Sequence, residues 1–354
     1  MGLPRKNSLD FIRFIAAGCV VFSHSFAVTG NKEPLIPNTD ISLGAVAVWI
    51  FFILSGYLIS ASWDQYPRFN VFFAKRALRI FPGLAVNIII CIIILGIFFS
   101  SFRFADYIFQ QGTISYLSNI FLYNISTELP GVFTSNPFAP TVNGSIWTLP
   151  YEFTLYILIA LIGVFNVYKK VSALHLWIIL FVMELIAIFV NPGFFSLSLF
   201  YLRIDVLLLW SLMFFSGVVL YKYKSEISLS YKWGAISLVA LLILSLSFDS
   251  FIPLIAAVFL SYSLFSLGRS PVFSSFSKIG DMSYGVYIYS WPVQQALCVV
   301  TETNNPLKMF GASIFISIIL GWISWQIVES KALKLKKRIK TDRYPLINQP
   351  DTAW

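Results

Sequence analysis

Ten stretches of almost unbroken apolar sequence divide this chain of 354 residues, at 11–29, 42–60, 82–100, 148–167, 173–190, 204–221, 233–248, 251–267, 284–300 and 308–328. Each approaches the roughly 17–25 residues that an α-helix needs to cross a bilayer. Strands of a transmembrane barrel would instead alternate apolar and polar residues over about 10 positions. Composition agrees with helices in lipid: 58% of residues are hydrophobic and 12% are charged, against about 25% charged in an average soluble domain. The predicted fold class is all-α, a polytopic integral membrane protein of about ten transmembrane helices.

The net charge of +9 would suggest nucleic acid for a soluble protein. Here its distribution matters more, because cytoplasmic loops of membrane proteins collect Lys and Arg. With the N-terminus inside, the inner segments hold 20 cations and the outer ones 4, namely Lys32, Arg103, Arg203 and Lys308, with Arg13 inside the first span. This asymmetry predicts both termini in the cytoplasm, membrane lipid as the surrounding partner and no nucleic acid. Arg5 and Lys6 before the first apolar run imitate a signal peptide, but the run is long, carries ionisable residues and lacks a small-residue cleavage pattern. We read it as the first span. The predicted organisation is a transmembrane domain over 1–330 and a basic cytoplasmic tail over 331–354, suited to anionic headgroups. The long connection 101–147 lies outside, and its short run 114–123 packs on that surface or re-enters. Cys19, Cys91 and Cys298 sit in apolar runs without metal-ligand spacing, so neither a disulfide framework nor a metal is expected.

Ionisable residues inside a membrane point to function by default. Arg13 and His24 are 11 residues apart. On a helix that is about 20° beyond three full turns and about 16 Å of rise, so both fall on one stripe. Taken singly, Arg13 reads as a snorkelling anchor and His24 as a packing residue; together on one face they favour a cleft. Glu152, Glu184, Arg203 and Asp205 fall at a depth similar to that of His24, where a carboxylate can orient an imidazole base or simply pair with arginine. Arg76 and Arg79, in FFAKRALRIFPG, stand three apart and point the same way on a helix. They suit phosphate or plain positive-inside decoration. The pair Ser55–Gly56 lets a helix or a ligand approach the backbone.

Arg13-x10-His24, FFILSG (51–56), RALR (76–79), NGSIWTLPYEF (143–153) and SYGVYIYSWPVQQ (283–295) together resemble the acyltransferase-3 family of bacterial membrane O-acyltransferases. The resemblance spans nearly the whole chain in the same order, and the ten-span plan matches. It implies an enzyme of the bacterial inner membrane that moves an acyl group, often acetyl from acetyl-CoA, to a hydroxyl of a surface glycan such as O-antigen or exopolysaccharide. It implies that Arg13 and His24 are functional, that Arg76 and Arg79 serve the donor, and that Glu152 lies in a sensitive motif. One departure stands out: some members have a histidine where this chain has Ser290, before Trp291 and Pro292.

Both lines suggest one mechanism. Arg13, Arg76 and Arg79 hold the phosphates of a coenzyme A thioester, the donor arm follows the stripe, and His24 acts as general base on a sugar hydroxyl with Glu152 as partner. Trp147 and Tyr151 stack on a sugar ring or anchor the interface; Asn143, Glu184, Arg203 and Asp205 complete the expected acceptor site. Whether the acceptor is lipid-linked is left open. The competing reading is a transporter or flippase of a lipid-linked saccharide, with His24 and Glu152 as a proton relay.

Overall fold

The structure, a computed structural model, describes residues 4, 7–37, 39–189, 197–199 and 201–335. Arg5, Lys6 and the tail from 336 onward, both part of the charge argument, lie outside the described residues. Among the described residues a long helix occupies every one of the ten apolar stretches. These are α1 (Leu9–Val28), α2 (Leu43–Gln65), α3 (Phe69–Phe99), α4 (Leu149–Val164), α5 (Ala173–Phe189), α6 (Ile204–Lys222), α7 (Tyr231–Ser245), α8 (Ile252–Gly268), α9 (Ser283–Thr301) and α10 (Pro306–Lys334). The chain is thus an all-α, multi-pass membrane protein. Seven helical stretches are long and apolar enough to span a bilayer by length and composition, while α5 and α7 are apolar but shorter.

Two boundaries differ from the sequence reading. The third span was expected from 82, but α3 begins at Phe69, with Pro82 in its interior. Arg76 and Arg79 therefore belong to the membrane helix itself rather than to a preceding loop. At the other end, α10 runs past the expected end of the tenth stretch at 328, through a π turn at Trp325–Glu329 to Lys334.

Helix α9 explains why one apolar stretch is not fully apolar. It buries Ser283, Tyr287, Ser290, Gln294 and Gln295 among its neighbours. A helix enclosed by protein can carry polar side chains if each finds a partner, whereas a lipid-facing one cannot. Gln294 Nε2 donates to Val21 O (2.8 Å), Ser25 Oγ (2.8 Å) and Ser313 Oγ (3.2 Å), tying α9 to α1 and α10. Gln295 Nε2 donates to Phe138 O and Thr141 O, which fixes the 101–147 connection over that end of the bundle. Pro292 lies inside α9 and has no N–H to give the carbonyl four residues back. That carbonyl, Ile288 O, accepts instead from Asn87 Nδ2 (3.1 Å) and Asn143 Nδ2 (3.0 Å).

Small residues set the closest helix contact. A Cβ on Gly56 would come within 1.8 Å of Phe214 O, and one on Gly217 within 2.0 Å of Ile53 O. The backbones of α2 and α6 thus touch where lipid supplies no hydrophobic drive and packing must bring them together. Of the two uses that Ser55–Gly56 allowed, Gly56 serves helix approach.

Candidate functional site

The residues singled out in the sequence divide between the two ends of α1. At its N-terminal end, Arg13 Nη1 meets Asp281 Oδ2 at 2.6 Å, and Arg79 Nη2 from α3 meets the same oxygen at 2.5 Å. Asp281 sits just before α9, and its Oδ1 accepts from Ser283 Oγ at 2.5 Å. Arg79 also reaches Glu329 Oε2 on α10 at 3.5 Å, and Ser324 Oγ donates to the other oxygen of Glu329 at 3.0 Å. Burial alone would raise the Asp281 pKa, but Arg13, Arg79 and the Ser283 hydrogen bond hold it at about 2. The paired arginines thus favour the charged carboxylate, and α1, α3, α9 and α10 meet on one ionic cluster.

The expectation of a matched Arg76–Arg79 fork is corrected here. Residues three apart on a helix diverge by about 60°. Arg79 turns towards α9 and α10 and is neutralised by two carboxylates. Arg76 turns towards α2, where Nη2 reaches Ser62 Oγ at 3.4 Å and the buried Nε has no hydrogen-bond partner. Its guanidinium lies 5.9 Å from the Phe72 ring centroid. Arg76, not Arg79, is thus the arginine with unused donors.

A small cavity of about 40 Å³ between the helices is lined by Arg13 and Glu152 with Val48, Phe51, Phe52, Thr148, Leu149, Tyr284 and Tyr287. Glu152 Oε1 accepts from Ser55 Oγ of α2 at 2.9 Å and from Tyr156 OH one turn further along α4. These bonds aim the carboxylate at the cavity wall.

His24 lies towards the other end of α1. Its ring meets Trp291 edge-on, with centroids 4.7 Å apart, and its buried Nδ1 has no hydrogen-bond partner. Both neighbours in the chain are bonded. Ser23 Oγ donates to Glu33 in the α1–α2 loop, and Ser25 Oγ donates to Val21 O at 2.8 Å while accepting from Gln294. The backbone around the imidazole is therefore fixed, and the ring nitrogen alone is left open. Glu152 does not orient this imidazole, which corrects the expected carboxylate–histidine pair: its bonds go to Ser55 and Tyr156, while His24 is held by an aromatic edge.

The expected acceptor residues separate as well. Asn143 is 1% exposed, and its amide bonds Asn87 Oδ1, Ile288 O and the Ser145 N–H, each at 3.0 Å. It is a cross-link between α3, α9 and the loop before α4, with no amide hydrogen left for a sugar. Tyr151 is buried too, and its hydroxyl accepts from the Arg203 N–H at 2.9 Å. Its ring joins Trp147 and Trp210 in an aromatic cluster, in which Trp147 remains 43% exposed. Arg203 and Asp205 pair with each other at 2.5 Å on the surface, an arrangement worth about 0–1 kcal/mol. Glu184 stands half-buried on α5. The structure does not gather these residues around His24.

Sequence reasoning missed Asp281, Glu329 and Trp291. The first two each adjoin a predicted span by three residues or fewer, where carboxylates pass for ordinary loop residues. The usable signal was the arginines: a guanidinium held within a membrane protein demands a buried anion.

A family model described as an acyltransferase domain matches residues 6–326. The chain belongs to the acyltransferase-3 family. Family membership decides between the enzyme and carrier readings that the intramembrane polar residues left open: this is a membrane O-acyltransferase. The chain is 32% identical over 338 residues to an O-acetyl transferase of Shigella phage Sf6, with 94% of this chain and 97% of that protein covered. It is 26% identical over 369 residues to Nodulation protein 10 of Rhizobium leguminosarum bv. viciae, with 96% of both covered. No solved structure matches the chain. The family's reaction requires an acyl donor, and among the described residues no group of three His, Cys, Asp or Glu side chains is placed to hold a metal.

Proposed function

We propose that this enzyme transfers an acetyl group from acetyl-CoA to a hydroxyl of a surface glycan, in the inner membrane of a bacterium. The observation that carries the reading is the open Nδ1 of His24 within a triplet whose two serines are both bonded. A sugar hydroxyl is a weak nucleophile at neutral pH and gains from a base positioned to take its proton as the thioester carbonyl is attacked. In the tautomer that carries its hydrogen on Nε2, the unbonded Nδ1 is the nitrogen that accepts that proton. The edge of Trp291 sets the ring plane without occupying the nitrogen.

The asymmetry of Lys and Arg supports a cytoplasmic N-terminal end of α1. The donor's phosphates then meet Arg13 and Arg76 on that side. The exposed face of Trp147 offers an apolar surface to a sugar ring, and the O-acetyl transferase name of the phage relative supports acetyl as the group moved. A lipid-linked acceptor is compatible with a site reached from within the membrane.

The test is acyl transfer in membranes that contain the protein, with radiolabelled acetyl-CoA and host glycans, beside His24→Ala. Label enters glycan with the wild type and falls by about 10²–10⁴-fold in the variant, the usual contribution of a general base. Wild-type turnover in His24→Ala overturns the role of His24. Transfer to no glycan by the wild type overturns the donor or the acceptor class.

A further inference from the structure

We propose that Asp281 is a positioning residue for acyl transfer, holding Arg13 of α1, with Arg79 of α3 as its strut, in the orientation that receives the anionic end of the acyl donor. The proposal rests on the reading of the donor as a coenzyme A thioester, and it concerns a residue that touches no reacting atom itself.

The geometry is specific. One carboxylate oxygen, Asp281 Oδ2, bridges two guanidiniums that come from different helices, at 2.6 Å and 2.5 Å. It takes one nitrogen of each. A guanidinium carries five N–H donors, so this single-corner contact fixes both groups while leaving most of their donors unspent. Arg13 and Glu152 line the same small cavity, and the Arg13 side chain is only 16% exposed. A long, flexible arginine in that place is pinned by Asp281 rather than sweeping the cavity.

The carboxylate is itself pinned. Ser283 Oγ donates to Oδ1 at 2.5 Å, and Ser283 opens α9, whose other residues are tied to α1 by Gln294. Arg79 has a second brace in Glu329, which is 1% exposed and held in turn by Ser324. Arg79 serves mainly as the strut that keeps Asp281 in register, since both of its terminal nitrogens are engaged. Arg13 presents its remaining donors to the ligand. A phosphate arriving at Arg13 thus meets donors whose direction is set beforehand, which lowers the ordering cost of binding.

A residue that acts through Arg13 alters donor binding and leaves acceptor binding alone. The experiment measures KM for acetyl-CoA and for the glycan separately, together with kcat, in membranes carrying wild type, Asp281→Asn and Asp281→Glu. Asp281→Asn is expected to raise the donor KM by about 10- to 100-fold, the scale of a misaligned contact, with the acceptor KM within about twofold of wild type. Asp281→Glu, which restores the charge, is expected to recover part of the donor affinity. In an Arg13→Ala background, Asp281→Asn adds little further. Equal rises in both KM values, or a loss confined to kcat, overturn the assignment. Where Asp281→Asn leaves too little protein in the membrane to assay, Ser283→Ala withdraws only the hydroxyl on Oδ1. A donor-specific rise in KM then supports the assignment, and an unchanged donor KM overturns it. Absence of saturable acetyl-CoA turnover in the wild type is a different result, and it sinks the donor reading instead.

Discussion

The two ends of α1 solve opposite problems with the same kind of material. At the N-terminal end, Arg13, Arg79, Asp281 and Glu329 satisfy one another, and the serines 283 and 324 complete the set. Towards the other end, Ser23 and Ser25 are bonded and Gln294 donates to α1, yet the buried His24 Nδ1 and Gln294 Oε1 have no partner. A charged group in a low-dielectric interior must be paired or it destabilises the fold. A neutral imidazole costs less to leave open, about the 1–3 kcal/mol of one unsatisfied buried donor or acceptor. The difference teaches where stability and chemistry are separated. The ionic end holds helices together through paired charges, while the histidine end leaves an imidazole nitrogen unbonded, as the proposed base requires.

The largest stability effect belongs to the ionic end. Arg79→Ala leaves the buried Glu329 without its cation, while Asp281 keeps only Arg13. We expect a loss of about 3–5 kcal/mol, the cost of an uncompensated buried charge, seen as a large drop in the midpoint of thermal unfolding in detergent. A drop no larger than that of an exposed arginine would break the distinction between the two ends. Asn143→Ala removes a neutral cross-link between α3 and α9, and the expected loss is about 1–3 kcal/mol. Its activity per folded molecule should stay within a few-fold of wild type, as measured by acyl transfer normalised to monodisperse protein. Complete loss of turnover in well-folded Asn143→Ala would restore the residue to the acceptor site. The smallest stability change is expected for His24→Ala. Only the edge contact with Trp291 is given up, worth about 0.5–1.5 kcal/mol, although the same variant has the largest effect on transfer. Stability and activity ranked in the same order across these three variants would erase the comparison.

Much of the fold was legible because lipid imposes a simple rule. A chain that crosses a membrane must close its own backbone hydrogen bonds, so length and apolarity reveal helices one at a time. Each of the ten apolar stretches does hold a helix. The expected third span began at 82, whereas the helix runs through Pro82 from Phe69. The site was legible in part. Arg13, His24, Arg76 and Glu152 stand out as ionisable residues in apolar surroundings. Their partners do not, because Asp281 lies 268 residues from Arg13 along the chain, and nothing local marks which carboxylate an arginine will choose. The same limit explains Asn143. Its motif is conspicuous, but its role depends on a carbonyl that Pro292 frees on another helix.

By itself, then, the sequence determined an all-α membrane protein, the segments that form its helices, and the stripe that carries Arg13 and His24 on one of them. Each follows from periodicity and from transfer of side chains into lipid, which are local properties. Tertiary structure alone decided that Arg79 is neutralised while Arg76 keeps free donors, that Glu152 binds Ser55 and Tyr156 rather than His24, and that Asp281 joins two arginines. Those outcomes depend on which helix faces approach one another. Packing sets that through contacts such as the touching backbones at Gly56 and Gly217, and no single helix contains the information.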